Sequence, residues 1–512
     1  MLEPAKPLSA PVKAQGLGHS ARASLLWGGG FTLLRDVAQF GVMLILVRIL
    51  SPTDYGTAAF VQSIIGAVSI VSYSTFSLHA LQIRNPESID WQAHFTAAAV
   101  INTLLFGVVL LLAFGLTFTA TYRDAALPLA ALGIVLLLEI PATLRARMLE
   151  ANHDWKRFRV QLIIGTLLGM AVGLAVALLG GGVWALILQP PMLGLPAAFD
   201  LLVLQRFRPD WTWSWARYRA TVRFALDRIG SGLFGRARAL SENILVSDIY
   251  DVATLGIFTR ANGLAVLLAG RIGATTVTAL HPVLTRAERA SERFQRLASL
   301  VLRGVCWTTM PVVAFLALTA NDTVLLLYGT KWESVVPLLP YAAMATGMVG
   351  AWNTLSGLLL ANDDSRATLS IDAVAGVTTI GLVFLLVPYG AKAYLAGLAL
   401  HALAFASITI VVLLQRGAVS AKGVTMAIVP AAMASLAGAA VTLAMRSSPR
   451  EDVAILFRLM LDGVFLATTY VLTLRLVFST QLTELLEVVP GGPLLARALM
   501  LPSPRPGLAT SP

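Results

Sequence analysis

Apolar runs of about 20 residues follow one another through most of this chain, and they restrict its fold more than any other feature. Runs of this length cross the hydrocarbon core of a bilayer as helices, and the connections between them are too short to hold a soluble domain. The composition agrees, since 57% of the 512 residues are hydrophobic and only 13% are charged. The alternating segments typical of a membrane β-barrel are absent. The sequence therefore predicts an all-α polytopic membrane protein.

Hydropathy and flanking charge predict about fourteen transmembrane helices. We place them near residues 24–48, 57–79, 95–118, 125–144, 160–180, 183–204, 224–247, 253–280, 297–320, 336–360, 367–388, 391–414, 424–445 and 453–477. Lys and Arg concentrate in the connections after the even-numbered helices, which by the positive-inside rule face the cytoplasm. Both termini are then cytoplasmic. The net charge of +11 follows from these connections and does not indicate nucleic-acid binding.

The chain contains an internal repeat. Gly56 and Gly256 each open an apolar run and lie 200 residues apart, while the polar turns that begin at Asn152 and Asn362 lie 210 residues apart. An even number of helices in each copy, six, makes the repeat parallel rather than inverted. We therefore predict two pseudo-symmetric six-helix bundles plus two C-terminal helices. The predicted parts are a cytoplasmic tail (1–23), the N-terminal bundle (24–204), a cytoplasmic interfacial linker helix (205–223), the C-terminal bundle (224–414), two additional helices (415–478) and a second cytoplasmic tail (479–512).

Charged residues occur inside three of the predicted helices. An ionised side chain at the centre of a lipid-facing helix costs about 2.5–3.5 kcal/mol, so such helices must face protein or a water-filled cavity. The set comprises Arg35 and Asp36 in the first helix, Asp227, Arg228, Arg236, Arg238 and Glu242 in the seventh, and Arg260 and Arg271 in the eighth.

These six arginines exceed the three carboxylates by three positive charges. Guanidinium groups bind phosphate oxygens bidentately, so an unbalanced positive interior favours a diphosphate or another multivalent anion. The alternative is that the arginines pair with the carboxylates of Asp36, Asp227, Glu242 and Asp248 and hold helices together. Asp372, in the eleventh helix, is either a cation or proton site or a hydrogen-bonded structural carboxylate. A coupling role for Asp36, Asp227 or Glu242 stays equally open.

Motifs for other chemistries are missing from the sequence. There is no GxxxxGK[ST] loop for ATP, no HExxH and no GxSxG. Cys306 is the only cysteine, so an intramolecular disulfide is impossible. We therefore predict no cofactor, no metal and no enzyme activity.

Several short segments resemble one known family. Residues 47–56, VRILSPTDYG, are similar to the signature that opens bacterial oligosaccharide flippases of the polysaccharide transporter family. This family lies within the multidrug, oligosaccharidyl-lipid and polysaccharide exporter superfamily. Residues 255–262, LGIFTRAN, residues 281–286, HPVLTR, and residues 328–332, YGTKW, resemble three further elements of the family.

The resemblance implies alternating access between two bundles in the bacterial inner (cell) membrane. An undecaprenyl-diphosphate-linked oligosaccharide would move from the cytoplasmic to the periplasmic leaflet for exopolysaccharide, capsule or lipopolysaccharide O-antigen synthesis. Arg35, Arg260 and Arg271 lie on helices that supply cavity cations in this family. The implied partners are the lipid-linked oligosaccharide, the membrane, and polysaccharide polymerase and export proteins.

Two other functions are compatible with a polytopic helical protein. A drug/cation antiporter of the same superfamily would require acidic cavity residues, and the arginine excess argues against it. A membrane polysaccharide polymerase or ligase would require a large periplasmic loop with catalytic residues, and no connection is long enough to provide one.

Overall fold

A computed structural model describes residues 35–83, 85–209, 211, 215–270, 291–447, 454–488 and 492–500. Its helices confirm the predicted all-α class. They are α1 (35–49), α2 (Pro52–Val68), α3 (Tyr73–Ser77), α4 (Trp91–Leu116), α5 (Arg123–Ala151), α6 (Trp155–Leu178), α7 (Trp184–Ile187), α8 (Gln189–Phe199), α9 (Trp215–Ile249), α10 (Val252–Ala265), α11 (Glu292–Leu327), α12 (Leu339–Ala361), α13 (Ser365–Leu386), α14 (Ala391–Gln415), α15 (Ala421–Arg446), α16 (Ile455–Val477), α17 (Ser479–Val488) and α18 (Gly492–Ala498).

In the described part of the chain, 11 helical segments are long and apolar enough to cross a membrane. The remaining three predicted spans correspond to α1, α9 and α12. Helix α9 carries the charged residues of the seventh predicted span, and only residues 35–49 of the first span are described. The total of fourteen membrane crossings therefore stays a prediction.

Several predicted boundaries differ from the structure by five residues or more, such as the end of α5 at 151 rather than 144 and the bounds of α11 at 292 and 327 rather than 297 and 320. Two further differences bear on the site. Helix α2 begins at Pro52 and not near residue 57, because Ser51 and Asp54 form a capping box: Ser51 Oγ accepts from the Asp54 amide at 3.1 Å, and Asp54 accepts from the Ser51 amide at 2.8 Å. Residues 52–56 are thus the first turns of a helix rather than a loop. The predicted linker helix is also not separate, because α9 runs without interruption from Trp215 through the seventh predicted span.

The internal repeat is visible in the backbone. His153 and Asp363, 210 residues apart, both adopt positive φ angles, of 55° and 62°. Non-glycine residues rarely adopt this conformation, so its recurrence at the same offset reflects two copies of one turn. Gly180 and Gly390, at the same spacing, also have positive φ angles, of 78° and 109°.

The two halves meet at a crossing of α2 and α10. A Cβ atom on Gly56 would lie 1.7 Å from the carbonyl oxygen of Val252, and one on Gly256 would lie 1.9 Å from that of Pro52. Both contacts are with backbone atoms, so no side-chain movement could relieve them. The crossing therefore requires glycine at both repeat-related positions.

The same end of the molecule contains the largest buried apolar cluster, which combines residues of both halves. Trp332 is fully buried there and donates from its indole nitrogen to the Val47 carbonyl at 2.7 Å. Arg48 donates to the carbonyl groups of Leu326 and Leu327. We call this region, formed by residues 47–60, 251–258 and 328–339, the closed end. By the predicted topology it faces away from the cytoplasm.

The two additional helices are attached to the C-terminal half by buried charges. Arg446 of α15 bonds Asp322 of α11 and Asp462 of α16, each at 2.7 Å. Arg458 bonds the second oxygen of Asp322 at 3.1 Å. Because both carboxylates are buried, loss of one partner would leave an uncompensated charge. The network therefore fixes α15 and α16 against α11.

We expect Gly56→Ala to lower the melting temperature of the purified protein in detergent. The added methyl group must separate α2 from α10, and overpacking of this kind costs about 1–3 kcal/mol. At an open helical site the same change stabilises by about 0.4–1 kcal/mol. Gly107→Ala on α4 is the matched control, since nothing lies within 4 Å of its Cβ position. Equal melting temperatures for both variants would contradict the close crossing.

Candidate functional site: a polar cavity beside the closed end

A cavity of 450 Å³ lies next to the closed end, between helices of both halves. Its wall is apolar for the most part, with polar groups from seven positions. These are Asp36 and Gln39 of α1, Tyr55 and Gln62 of α2, Thr166 of α6, Gln189 of α8 and Arg260 of α10. A concave, mainly apolar site with a few converging polar groups is typical of ligand binding.

Glycines of α6 allow α8 to approach and place Gln189 in the cavity wall. A Cβ atom on Gly165 would lie 2.4 Å from the Leu193 carbonyl oxygen, and one on Gly169 would lie 2.9 Å from that of Gln189. Small residues at this spacing permit close helix packing within a membrane. Gln189 itself donates to the Ala185 carbonyl at 2.7 Å, which fixes its side chain.

Arg260 is the cation of the cavity wall. Its guanidinium carbon lies 4.3 Å from the ring centroid of Tyr55, a cation–π geometry that fixes the guanidinium plane without using its N–H groups. Its Nε is buried and has no hydrogen-bond partner, and no described carboxylate forms a salt bridge with it. Because the Tyr55 ring is itself packed edge-on against Trp332, the position of Arg260 depends on the closed end.

Arg35 and Asp36 form a salt bridge with each other. Arg35 donates to one carboxylate oxygen of Asp36 from Nη2 at 2.9 Å and from Nε at 3.1 Å. Asp36 lines the cavity, and Arg35 is not among the lining residues. Because both residues belong to α1, the pair neutralises charge within one helix and does not join two helices.

The charges of α9 are distributed differently from those of α1. Arg238 forms a 2.5 Å salt bridge with Glu242, which also accepts from the Tyr394 hydroxyl at 2.8 Å. Glu242 is buried, and this triad joins α9 to α14 away from the cavity wall. Arg236 is exposed, forms no salt bridge with a described residue, and has one guanidinium nitrogen 3.0 Å from the Cβ position of Gly66 on α2.

Three predicted site residues cannot be placed by their contacts. Arg271 lies outside the described residues, and so do the side chains of Asp227 and Arg228. Asp372 is placed: it accepts from the Ser356 hydroxyl at 3.0 Å, between α13 and α12, and does not line the cavity. Among the described arginines of the predicted set, Arg236 and Arg260 are the two without a carboxylate partner.

The sequence reasoning missed Tyr55 and Gln189 as site residues. Tyr55 belongs to the family-like segment, but its role as the platform for Arg260 depends on a contact between positions 205 residues apart. The signal available was the repeat itself, which places residues 55 and 260 near equivalent starts of α2 and α10. The sequence marks Gln189 only as a polar residue inside an apolar run, which does not predict a place in the cavity wall.

The comparisons with known proteins agree with this architecture. The chain is 22% identical over 361 residues to the succinoglycan biosynthesis transport protein ExoT of Rhizobium meliloti (strain 1021), covering 69% of this chain and 72% of that one. It is 20% identical over 367 residues to an uncharacterized membrane protein in the cps region of Klebsiella pneumoniae, covering 70% and 75%.

Two solved structures share the fold. The lipid II flippase MurJ in its inward closed conformation aligns with a TM-score of 0.69 at 12% identity, over 88% of this chain and 99% of that chain. A multidrug resistance MATE family transporter in an inward-facing conformation aligns with a TM-score of 0.55 at 13% identity, over 75% and 94%.

The helices and the structural match define a multi-pass helical membrane protein with the fold of the MurJ structure. The chain belongs to the family described as polysaccharide biosynthesis protein, whose model matches residues 45–337, more than half of the chain. The family resemblance found in the sequence is thereby confirmed.

The contacts of Arg238 predict a structural role that can be measured. Glu242→Gln leaves a partly buried arginine unpaired, so we expect a stability loss of roughly 3 kcal/mol, seen as a lower melting temperature. Arg238→Met combined with Glu242→Leu removes both charges and is expected to recover most of the loss. Glu333→Gln, an exposed carboxylate, is the control and should be neutral. A double variant that is stable but unable to bind substrate would instead assign Arg238 to the substrate.

Proposed function

We propose that this protein is a flippase for lipid-diphosphate-linked oligosaccharides of the undecaprenyl type. It translocates them from the cytoplasmic to the periplasmic leaflet by alternating access, for exopolysaccharide, capsule or O-antigen biosynthesis. The observation that carries the proposal is Arg260, a cation without a carboxylate partner in the wall of a cavity between two halves. The names of the relatives, a succinoglycan transport protein and a lipid II flippase, support the same chemistry.

The diphosphate is the group that Arg260 suits best. A guanidinium presents several N–H donors in a rigid plane and matches phosphate oxygens bidentately. Stacking on Tyr55 preorganises that plane and leaves its edge available to a ligand. The buried Nε has no hydrogen-bond partner among the described groups, and a diphosphate in the cavity would bind the other guanidinium nitrogens.

The oligosaccharide would be held by the neutral polar groups of the same cavity. Gln39, Gln62 and Gln189 supply both amide donors and carbonyl acceptors, which suit sugar hydroxyl groups. The lipid tail would remain in the bilayer. Arg35 would contribute only after leaving Asp36, while Arg271 and Arg228 keep the diphosphate role that the sequence proposes for them.

The closed end gives the described conformation its place in the transport cycle. The crossing of α2 and α10 separates the cavity from the face that the topology assigns to the periplasm. Substrate would enter from the cytoplasmic leaflet, and opening of this crossing would release it on the other side. With no ATP-binding loop in the sequence, an ion gradient or the membrane potential would drive the cycle.

Arg260→Ala is expected to abolish export at a normal level of protein in the membrane. In cells that lack the native gene, surface polysaccharide should fall at least tenfold, and the lipid-linked precursor should accumulate. Arg260→Lys keeps the charge but loses the planar fork and the stacking, so we expect an intermediate level. Arg123→Ala, an exposed arginine at the start of α5, is the control. Normal polysaccharide in Arg260→Ala cells would rule out the assignment, and altered drug resistance alone would favour the antiporter.

Variants of Tyr55 test the cation–π contact with Arg260 independently. Cation–π stacking contributes about 0.5–2 kcal/mol, which corresponds to a roughly 2- to 30-fold effect on affinity. Tyr55→Phe keeps the ring and should bind a lipid diphosphate in nanodiscs almost normally, whereas Tyr55→Leu should weaken binding by that factor. A lipid monophosphate should show a smaller difference between the variants. Equal affinities of Tyr55→Phe and Tyr55→Leu would contradict the platform role.

A further inference from the structure

Glu139 of α5 is a carboxylate within a membrane-spanning helix whose described contacts are all with neutral groups. It lies 16 positions after Arg123, the first residue of the helix. Its two oxygens accept from the Ser72 hydroxyl at 3.1 Å and from the Asn102 amide at 3.2 Å. A carboxylate within a membrane helix is costly and therefore a functional suspect. Glu139 does not line the cavity beside the closed end, and the proposed transport cycle does not use it.

Its partner Ser72 marks the point where the second predicted span stops being a regular helix. Helix α2 ends at Val68, a single 3₁₀ turn follows, and Ser72 has extended backbone angles, φ −73° and ψ 165°, before α3 begins at Tyr73. Irregular backbone of this kind needs replacement hydrogen bonds in a membrane.

Asn102 of α4 supplies those bonds and connects them to Glu139. Its carbonyl oxygen accepts from the Tyr73 amide at 2.9 Å, an amide at the start of α3 that has no helical acceptor. Its NH₂ group donates to the Leu136 carbonyl at 2.9 Å and to Glu139. Asn102 is completely buried. The helix break and the carboxylate are therefore parts of one hydrogen-bond network.

Other titratable groups on the surrounding elements make no hydrogen bond or ion pair with Glu139 in the described structure. Arg145 bonds Asp200 at 2.6 Å, and Arg147 pairs with Glu150. These groups include Tyr73 of α3, His79 in the 3₁₀ turn after α3, His94 of α4, Arg145, Arg147 and Glu150 of α5, Asp154, Lys156, Arg157 and Arg159 beside or on α6, Asp200 after α8, and Tyr218 of α9. His94 lies in ring contact with Tyr73, 6.0 Å between centroids, and is the nearest rival for a pH effect.

The geometry favours a proton over a metal ion as the ligand. The groups directed at the carboxylate are donors, namely the Ser72 and Ser74 hydroxyls, the Ser74 backbone amide and the Asn102 NH₂, and donors repel a cation such as Na⁺. A proton needs no cage of acceptors. Glu139 also borders a cavity of 340 Å³, which is room for several waters at about 30 Å³ each.

We propose that Glu139 is a proton-binding site that couples the proposed flipping cycle to the proton gradient through the helix break at Ser72. When a proton binds the carboxylate, the new O–H donates to the Ser72 Oγ, and the Ser72 hydroxyl turns to donate to Ser74 Oγ, which is 2.8 Å away. The bond that joined the break to α5 is thereby reversed, and Asn102 faces a neutral acid. Because α2 carries the Gly56 crossing at its other end, a change at the break moves the closed end.

The inference rests on the proposed function for its purpose, but its test needs no substrate. Cys306 is the only cysteine, so Cys306→Ala gives a cysteine-free parent. Spin labels at Asp124→Cys and Tyr389→Cys, both exposed, report the distance between the halves in nanodiscs. We expect the distance to change by about 5 Å or more between about pH 5 and about pH 9, a range that brackets the titration of buried carboxyl groups.

Glu139→Gln is expected to give the low-pH distance at both pH values, because glutamine resembles the neutral acid. Asp372→Asn and His94→Gln should keep the pH response, and Arg260→Ala should keep it while losing export. An unresponsive parent, a responsive Glu139→Gln, or loss of the response in Asp372→Asn or His94→Gln would overturn the proposal.

If Glu139→Gln does not fold, Ser72→Ala provides the test, because it keeps the carboxylate and removes its hydroxyl partner. We expect the pH midpoint of the distance change to shift in this variant, and an unshifted midpoint would overturn the proposal equally.

Discussion

The close approach of two backbones at Gly56 and Gly256 is the constraint on which the rest of the described structure depends. Without side chains at these two positions, α2 and α10 come near enough for the carbonyl groups of Pro52 and Val252 to occupy the space of a Cβ atom. This contact closes one end of the molecule. It also places Tyr55, the residue before Gly56, against Arg260, one turn beyond Gly256. The cation of the cavity is thus positioned by a packing requirement rather than by a counter-ion.

Charge in this protein is divided between two uses. Arg238 and Arg446 take part in contacts between helices and are paired with carboxylates, Arg238 with Glu242 and Arg446 with Asp322 and Asp462. Arg48 instead joins two helices through backbone carbonyl groups. A cation facing the cavity has instead an aromatic ring, which stabilises it without neutralising it. This difference distinguishes Arg238 and Arg446 from Arg260, the proposed ligand-binding arginine, more sharply than the net excess of charge does, because the excess does not say which residues are paired.

The sequence predicts what depends on periodicity and repetition. Hydropathy gives the helical class, and the repeat offsets anticipate the paired turns at His153 and Asp363 and the paired glycines of the crossing. Periodicity does not reveal side-chain partners. Tyr55 and Arg260 come into contact only when the two halves assemble. Glu139 is one polar residue in a long apolar run, so a hydropathy value averaged over the run does not reveal it. Hydropathy places the second helix from residue 57, whereas α2 begins at Pro52, because Ser51 and Asp54 form a capping box that hydropathy does not register.

Helix α2 and its continuation link the two places where chemistry is proposed. Tyr55 and Gly56 lie at one end, and the Ser72 break lies 16 residues further on, about 24 Å along a helix. A helix transmits a displacement along its axis more readily than it bends, provided that its own hydrogen bonds stay intact. At the Ser72 break the backbone hydrogen bonds of the helix are interrupted. Asn102 of the neighbouring α4 supplies a replacement acceptor there. Protonation of Glu139 changes the side-chain hydrogen bonds that replace the backbone bonds at the break. The same protonation beside a regular helix would change only one side chain. A carboxylate at the break therefore acts on α2 as a whole, and through it on the crossing that closes the cavity.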